Sequence, residues 1–191
     1  MIIKSIKLKN FRNYSEEFFE LSTEKNVLYG DNAQGKTNIL ESIFLCSLGK
    51  SFRTKKEKEL IKIGEKRASI EIEFEKSDRS GQIKLDISDK KNYFVNGIKI
   101  KKLSEILGNI YIVMFNPNDI DILKDGPSVR RRFLDIMISQ LRIKYVYYLN
   151  DYKKILEQRN AYLKQVKLFN KPEEMLEIWD EKLAELRWKN L

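Results

Sequence analysis

Eight consecutive residues, Gly30 to Thr37, have the types and spacing needed to hold the phosphates of a nucleotide. They read Gly-Asp-Asn-Ala-Gln-Gly-Lys-Thr and fit the phosphate-loop pattern G-x-x-x-x-G-K-[ST]. Glycines let the backbone pass close to a phosphate, and successive N–H groups face the anion. Lys36 would reach the β- and γ-phosphates, and the Thr37 hydroxyl would hold Mg²⁺. The pattern predicts a site for a nucleoside triphosphate, with these candidate binding residues: Gly30, Asp31, Asn32, Ala33, Gln34, Gly35, Lys36, Thr37 and Asn38.

Such a loop needs a strand before it and a helix after it. Residues 26–29, Asn-Val-Leu-Tyr, predict a short buried strand. Residues 38–45 predict an amphipathic helix, and Gly49 is placed to end it. The positive end of that helix would face the phosphates. The context therefore favours a genuine phosphate loop over a chance match in a glycine-containing turn.

The composition is typical of a soluble globular protein and excludes several kinds of site. Of the 191 residues, 42% are hydrophobic and 34% are charged. No apolar run approaches the roughly 20 residues of a membrane span, so we expect no membrane association. The chain has no histidine, which removes a His-based metal site and a hydrolytic triad. Cys46 is alone, which excludes an internal disulfide, and a reducing cytoplasm is the expected location.

The net charge of +9 favours polyanionic partners, with nucleic acid ahead of an anionic membrane. Basic residues outnumber acidic ones by 23 to 19 in residues 1–125, and by 14 to 9 in residues 126–191. A lysine-rich surface can also serve solvation alone. Charge by itself leaves nucleic-acid binding and a solvated surface both open.

The central part of the chain predicts an antiparallel meander. Residues 1–9 and 15–22 read as two strands, and residues 70–75 alternate between isoleucine or phenylalanine and glutamate. The turn at residues 78–81 separates this strand from a second alternating strand, at residues 83–87. Asn96-Gly97 is a strong signal for a two-residue hairpin. The continuous apolar run at residues 110–115 predicts a strand buried in a main sheet.

From Val129 the pattern becomes helical. Tyrosines and aliphatic residues recur every three or four positions up to Phe169, as in a coiled-coil seam. Residues 170–172 break the run, and Pro172 is placed to open a returning helix. We expect an antiparallel helical arm in residues 128–191, following a nucleotide-binding head in residues 1–127.

A phosphate loop binds nucleotide, but hydrolysis also needs an acidic residue at the end of another buried strand. Asp119 and Asp121 follow the run at 110–115 out of register and read as loop residues. No Ser-Gly-Gly signature of the ABC type occurs. The chain ends at Leu191 within a predicted helix that has no stop signal. We therefore expect the first part of a split ATPase head, incomplete at its C-terminus and unable to hydrolyse ATP alone.

The ordered set of motifs strongly resembles the RecF family, bacterial recombination-mediator ATPases related to SMC proteins. The matching segments span the chain: LKNFRNY at 8–14, GDNAQGKTNILE at 30–41, SFRT at 51–54, FNP at 115–117, GPSVRRRFLD at 126–135 and IWD at 178–180. The resemblance implies an α/β fold: a P-loop ABC-type half-head, with a mixed sheet and antiparallel meander, plus an α-helical antiparallel arm. It implies ATP and Mg²⁺ as cofactors, DNA and RecO and RecR as partners, and an ATP-bound homodimer of the intact protein. The family acts in DNA repair, replication recovery and SOS induction.

The resemblance also suggests weaker sites outside the loop. Arg12 and Asn13 would lie near the nucleotide and contact its base or phosphates. Asn116 lies where such heads present glutamine to Mg²⁺, although asparagine is shorter. Arg53 would reach a phosphate, the partner head or DNA. The cluster Arg130, Arg131 and Arg132 opens a helix whose dipole disfavours cations, so DNA phosphate or a nearby acid such as Asp135 would compensate.

Three alternatives stay open at this point. A nucleotide kinase would need an arginine-rich lid, whereas here a meander and a helical arm follow the loop. A nuclease-linked ATPase of the same superfamily would need a carboxylate cluster further along. An interaction module whose loop no longer binds nucleotide would keep the fold without the chemistry.

Overall fold

The computed structural model describes residues 1–77, 79–115, 124, 126–169 and 171–189. The chain divides into two compact units, Met1–Pro117 and Asn118–Leu191. The first unit contains one six-stranded antiparallel sheet in the order β2-β1-β3-β4-β5-β6. Its strands are β1 (Ile2–Lys9), β2 (Glu16–Glu20), β3 (Ala68–Lys76), β4 (Arg79–Ile87), β5 (Lys91–Val95) and β6 (Ile98–Lys99). Helix α1 (Lys36–Leu48) packs against β3 and β4.

The predicted alternation in the central strands is confirmed. Ile70 and Ile72 of β3 are fully buried and lie opposite Leu85 and Ile83 of β4. The intervening Glu71 is not buried, and it accepts a hydrogen bond from Gln82 Nε2 on the same polar face, at 2.8 Å. A period-two pattern places successive side chains on opposite faces, so one face is apolar and the other polar. The apolar face is the one that α1 covers.

Two turn signals also form as expected. Asn96 and Gly97 both have positive φ, 50° and 78°, and connect β5 to β6 in a two-residue hairpin. Gly49 ends α1 in the left-handed region, and its N–H donates to Leu45 O at 2.9 Å. The turn predicted at residues 78–81 is wrong for residues 79–81, and Asp78 lies outside the described residues. Arg79 already pairs with Lys76, so the segment 79–81 belongs to β4 and not to a turn.

The two strands predicted as buried, at residues 26–29 and 110–115, are not strands in this structure. Both segments are described and neither pairs with another strand. Tyr29 is 91% exposed and Phe115 84% exposed. Ile110, by contrast, belongs to the core. A continuous apolar run forms a buried strand only where neighbouring strands flank it, and the described residues provide none here.

The second unit is helical. Its helices are α2 (Pro127–Leu141), α3 (Ile143–Phe169) and α4 (Glu177–Lys189). Pro127 occupies the first turn of α2, where its missing N–H carries no penalty. Arg159 and Tyr162 of α3 contact Asp180 and Trp179 of α4 respectively, and this pairing makes the two helices antiparallel, as expected for an arm.

The returning helix begins later than predicted. Pro172 lies in the connection, and a 3-10 turn at Glu174–Leu176 precedes α4. The carbonyl of Pro172 accepts a hydrogen bond from the Tyr162 hydroxyl of α3 at 2.9 Å, and this bond anchors the connection to α3. Asn170, part of the predicted break, lies outside the described residues.

Candidate functional site

The segment with the phosphate-loop pattern forms a tight loop directly before α1. Gly30, Ala33 and Gly35 all have positive φ, of 137°, 68° and 107°. Gly35 is buried, and a Cβ there would lie 2.6 Å from the Tyr14 hydroxyl. This approach requires glycine for both its conformation and its size. The pattern found in the sequence thus corresponds to a real loop that leads directly into the first turn of α1.

The Lys36 side chain folds back over the loop and binds two of its carbonyl groups. Its ammonium group donates to Gly30 O at 2.8 Å and to Asp31 O at 2.7 Å. The lysine side chain therefore lies along the inner side of the loop, where a phosphate group would be cradled. Gly35 is the N-cap of α1 and makes no side-chain hydrogen bond to the first-turn amides of the helix.

Two asparagines connect the loop to neighbouring segments. Asn13 Nδ2 donates to Gln34 O at 3.1 Å, and Asn38 Nδ2 donates to Asn13 Oδ1 at 2.8 Å. Arg53 Nη1 donates to Asn38 Oδ1 at 2.6 Å. Asn13, Asn38 and Arg53 are separate in sequence, yet they form one chain of hydrogen bonds beside the loop.

A buried carboxylate lies beneath this chain. Glu41 is fully buried on α1 and accepts two hydrogen bonds from Arg12, Nε at 2.9 Å and Nη2 at 2.7 Å. Arg12 also donates from Nη1 to Glu59 O at 2.6 Å, and it has a positive φ of 56°. A bidentate pair with further hydrogen bonds offsets the desolvation cost of burying both charges. The pair fixes the 11–14 turn to the helix that follows the loop.

Ser51 and Arg53 complete the surroundings of Glu41. The Ser51 hydroxyl donates to Glu41 Oε1 at 2.5 Å and accepts the backbone N–H groups of Arg53 and Thr54 at 2.9 and 3.0 Å. Arg53 Nη1 lies 3.5 Å from Glu41 Oε2. Glu41 therefore interacts with both Arg12 and Arg53. Through Ser51 it also holds the turn that contains Arg53.

The structure brings Arg12, Asn13, Asn38 and Arg53 together around the loop. Arg12 lies against Glu41, whereas Asn13 contacts the loop directly. The cluster Arg130, Arg131 and Arg132 is exposed on α2 in the second unit. Asp135, suggested as its compensating acid, accepts a hydrogen bond from the Tyr145 hydroxyl at 2.5 Å, and it lies 3.9 Å from Lys153. Asn116, Asp119 and Asp121 lie outside the described residues.

Sequence reasoning assigned no role to Glu41 or Ser51. A signal for Glu41 was present, since it lies on α1 among residues that all point into the core, including Ile39, Ser42 and Leu45. A carboxylate on such a face needs a cationic partner. The identity of that partner depends on contacts between segments, which local patterns do not contain.

The arrangement fits ATP with Mg²⁺. The loop contains three residues with positive φ, and the Lys36 ammonium group binds a carbonyl of the loop. Thr37 at the start of α1 is exposed. A hydroxyl at this position suits a hard cation that is held mainly by phosphate oxygens and water. No group of three or more His, Cys, Asp or Glu side chains suited to a metal occurs in the part of the chain that the structure describes.

Among the described helices, none combines the length and the apolarity needed to cross a bilayer.

Comparison with known proteins identifies a matching protein family and several similar proteins. The family model described as RecF/RecN/SMC N terminal domain matches residues 2–118. The chain is 46% identical over 187 residues to the DNA replication and repair protein RecF of Alkaliphilus oremlandii, covering 96% of this chain and 50% of that protein. It is 45% identical over 188 residues to the RecF of Acetivibrio thermocellus, covering 97% and 51%. The chain spans about half the length of the curated relatives it matches.

Solved structures agree with these relatives. A structure described as the recombination mediator protein RecF-ATPrS in the RecFOR pathway superposes with a TM-score of 0.89 at 41% identity, over 98% of this chain and 52% of that one. One described as RecF-ATP in the same pathway gives 0.88 at 41% identity, over 99% and 52%. The predicted fold class and family resemblance are confirmed.

Proposed function

We propose that this chain, which belongs to the RecF/RecN/SMC N-terminal domain family, binds ATP with Mg²⁺ and forms the nucleotide-binding part of a DNA replication and repair protein. The observation that carries the proposal is the loop at residues 30–37, with its three positive φ values and Lys36 folded inside it. Its likeness to structures described as RecF-ATP and RecF-ATPrS supports ATP as the nucleotide.

Each residue of the site has a distinct task in this proposal. Lys36 exchanges its two loop carbonyls for the β- and γ-phosphates, while backbone amides of the loop and α1 bind the remaining oxygens. Thr37 would hold Mg²⁺, which neutralises phosphate charge, and Asn116 is a further candidate ligand. Asn13 and Asn38 keep the loop in register with the 11–14 turn. Arg12 and Arg53, held by Glu41, supply positive charge beside the loop.

The proposal extends to the intact protein. We propose ATP-gated dimerisation on DNA, with sequence-independent contacts to phosphates that include Arg53, Arg130, Arg131 and Arg132. RecO- and RecR-type mediators are the proposed partners, and SOS induction and replication recovery are the proposed processes, in the cytoplasm. The similarity to RecF proteins and the RecFOR pathway supports this assignment. We propose a weak DNA-dependent ATPase for the intact protein and nucleotide binding without turnover for this chain.

Replacement of Lys36 tests the ATP site. Fluorescence anisotropy of an ATP analogue labelled on the ribose should show binding to the wild-type chain and displacement by unlabelled ATP. Lys36→Ala should weaken this binding by about 10- to 100-fold, because hydrogen bonds to a charged group contribute about 1.5–3 kcal/mol. Lys25→Ala removes the same charge from an exposed position outside the loop and should leave affinity unchanged.

Equal affinity of wild type and Lys36→Ala would overturn the ATP assignment and favour an interaction module. Thermal unfolding of both variants completes the experiment. A loss of binding counts for the proposal only where the unfolding midpoint of Lys36→Ala matches that of the wild type.

A further inference from the structure

A second concentration of positive charge lies in the first unit, outside the phosphate loop. It surrounds a cavity of about 420 Å³ at the C-terminal end of α1. The lining residues come from the segment directly after α1, the 3-10 turn at Glu57–Leu60, the β4–β5 turn, β5, β6 and the segment that follows β6. They include six lysines and two carboxylates: Lys50, Lys90, Lys91, Lys99, Lys101, Lys102, Glu57 and Asp89. The local excess is four positive charges, although these lysines are scattered in the sequence.

Part of this cluster has a structural role. Lys91 donates to Gly49 O at 3.2 Å, and its ammonium lies 3.5 Å from Glu57 Oε1. Lys50 follows Gly49, the residue that caps the C-terminus of α1, and cations near this end complement the helix dipole. These two positions are therefore explained by the fold itself.

Three other lysines lack such an explanation. Lys90, Lys99 and Lys101 are exposed, and none has an acidic partner among the described residues. Like charges held near one another raise the free energy of the unliganded protein unless an anion neutralises them. Lys99 belongs to an edge strand, where lysine also discourages pairing with another sheet. That role applies to Lys99 alone and does not account for Lys90, which lies in the β4–β5 turn.

We propose that this lysine cavity binds the phosphate backbone of duplex DNA, an inference that rests on the proposed DNA-binding function. The only aromatic residue in its lining is Tyr93, which is 5% exposed and donates its hydroxyl toward Leu45 O at 3.4 Å. Unpaired bases need an accessible aromatic surface to stack on, and the lining offers none. Lysines on flexible stems instead suit a regular array of phosphates that is contacted without reading bases.

The cavity and the phosphate loop lie at opposite ends of α1. The helix has 13 residues, which corresponds to a separation of about 20 Å. DNA bound at the cavity therefore leaves the phosphate loop free to bind nucleotide. In this proposal the nucleotide contacts the segment before α1, and the DNA contacts the segment after it. The cavity is a site distinct from the loop within the same unit.

The test is a triple substitution, Lys90→Gln, Lys99→Gln and Lys101→Gln, in the full chain. Binding to a fluorescent duplex of about 30 base pairs is measured over a series of NaCl concentrations. The slope of log K against log[NaCl] should become shallower by about three, and affinity should fall at least 10-fold at low salt. The control Lys55→Gln, Lys58→Gln and Lys66→Gln removes equal charge from exposed lysines outside the cavity and should change the slope much less.

The outcomes separate this inference from the proposed function. If the wild type binds duplex and both triple variants bind equally well, the lysine cavity is overturned while DNA binding stands. If the two triple variants lose affinity equally, net charge and not the cavity is responsible, which also overturns the inference. If the wild type does not bind duplex, the proposed DNA-binding function fails as well. Unchanged affinity of the cavity variant for the labelled ATP analogue is expected, and a loss would indicate a nucleotide site instead.

Discussion

Glu41 has an unusual position for a carboxylate, since it is fully buried on the helix that follows the phosphate loop. An isolated buried charge is very unfavourable, so the burial depends on Arg12, Ser51 and Arg53. Those three residues come from two segments that flank the loop in space. At the scale of single residues, the phosphate loop is thus supported by a carboxylate that is itself fully buried.

Glu41→Gln tests this support while keeping the side-chain shape. Gln keeps one acceptor oxygen but carries no negative charge, so it cannot balance two guanidinium groups. We expect α1 and β3 to lose about 2–3 kcal/mol of stability, measured by hydrogen exchange with mass spectrometry. Affinity for the labelled ATP analogue should also fall, because Arg53 and Asn38 lose their anchor. The control Glu65→Gln alters an exposed glutamate and should change neither quantity; equal exchange rates for both variants would contradict the assigned role.

At the scale of elements, the sequence predicted correctly those helices, strands and turns that depend on neighbouring residues, and it failed for those that depend on distant partners. The alternation in β3 and β4 and the Asn96-Gly97 hairpin are local and formed as predicted. The helix after the loop was also predicted, although it extends further, from Lys36 to Leu48. The strands expected at 26–29 and 110–115 depended on partners elsewhere, and they are absent from the sheet. The partners of Glu41 were missed for the same reason, since Arg12 is 29 positions away.

The junction between loop and helix gives a matched pair of glycine substitutions. Gly35 and Gly64 both have positive φ, but a Cβ at Gly35 would meet the Tyr14 ring at 2.7 Å, whereas Gly64 faces open space. Gly64→Ala should cost about 1 kcal/mol for the left-handed backbone alone. Gly35→Ala should cost roughly 1–3 kcal/mol more from overpacking, and it should abolish binding of the labelled ATP analogue. Hydrogen exchange of each affected segment measures the difference, and similar costs at the two glycines would show that Tyr14 moves aside freely.

At the scale of the whole chain, the hydrophobic core and the exposed apolar residues are unevenly placed. The core of the first unit is centred on β1, β3, β4 and α1. Val27, Tyr29, Val113 and Phe115 are instead exposed, by 80%, 91%, 59% and 84%. Single exposed apolar residues are ordinary, but several large ones in a segment that belongs to no sheet favour association with another surface. We therefore expect the two segments that were predicted as interior strands to promote self-association of this chain.

A double substitution, Tyr29→Ser with Phe115→Ser, tests this consequence by sedimentation velocity over a range of protein concentrations. Burial of a large apolar side chain contributes about 1.5–3 kcal/mol, so the double variant should self-associate at least ~10-fold more weakly than the wild type. Its thermal unfolding midpoint should not fall, since neither side chain packs in the core. Ile63→Ser is the matched control, because Ile63 is 99% exposed but lies outside both segments. Should Ile63→Ser reduce association as strongly as the double variant, general surface hydrophobicity would explain the effect, and the two unpaired segments would have no special part in it.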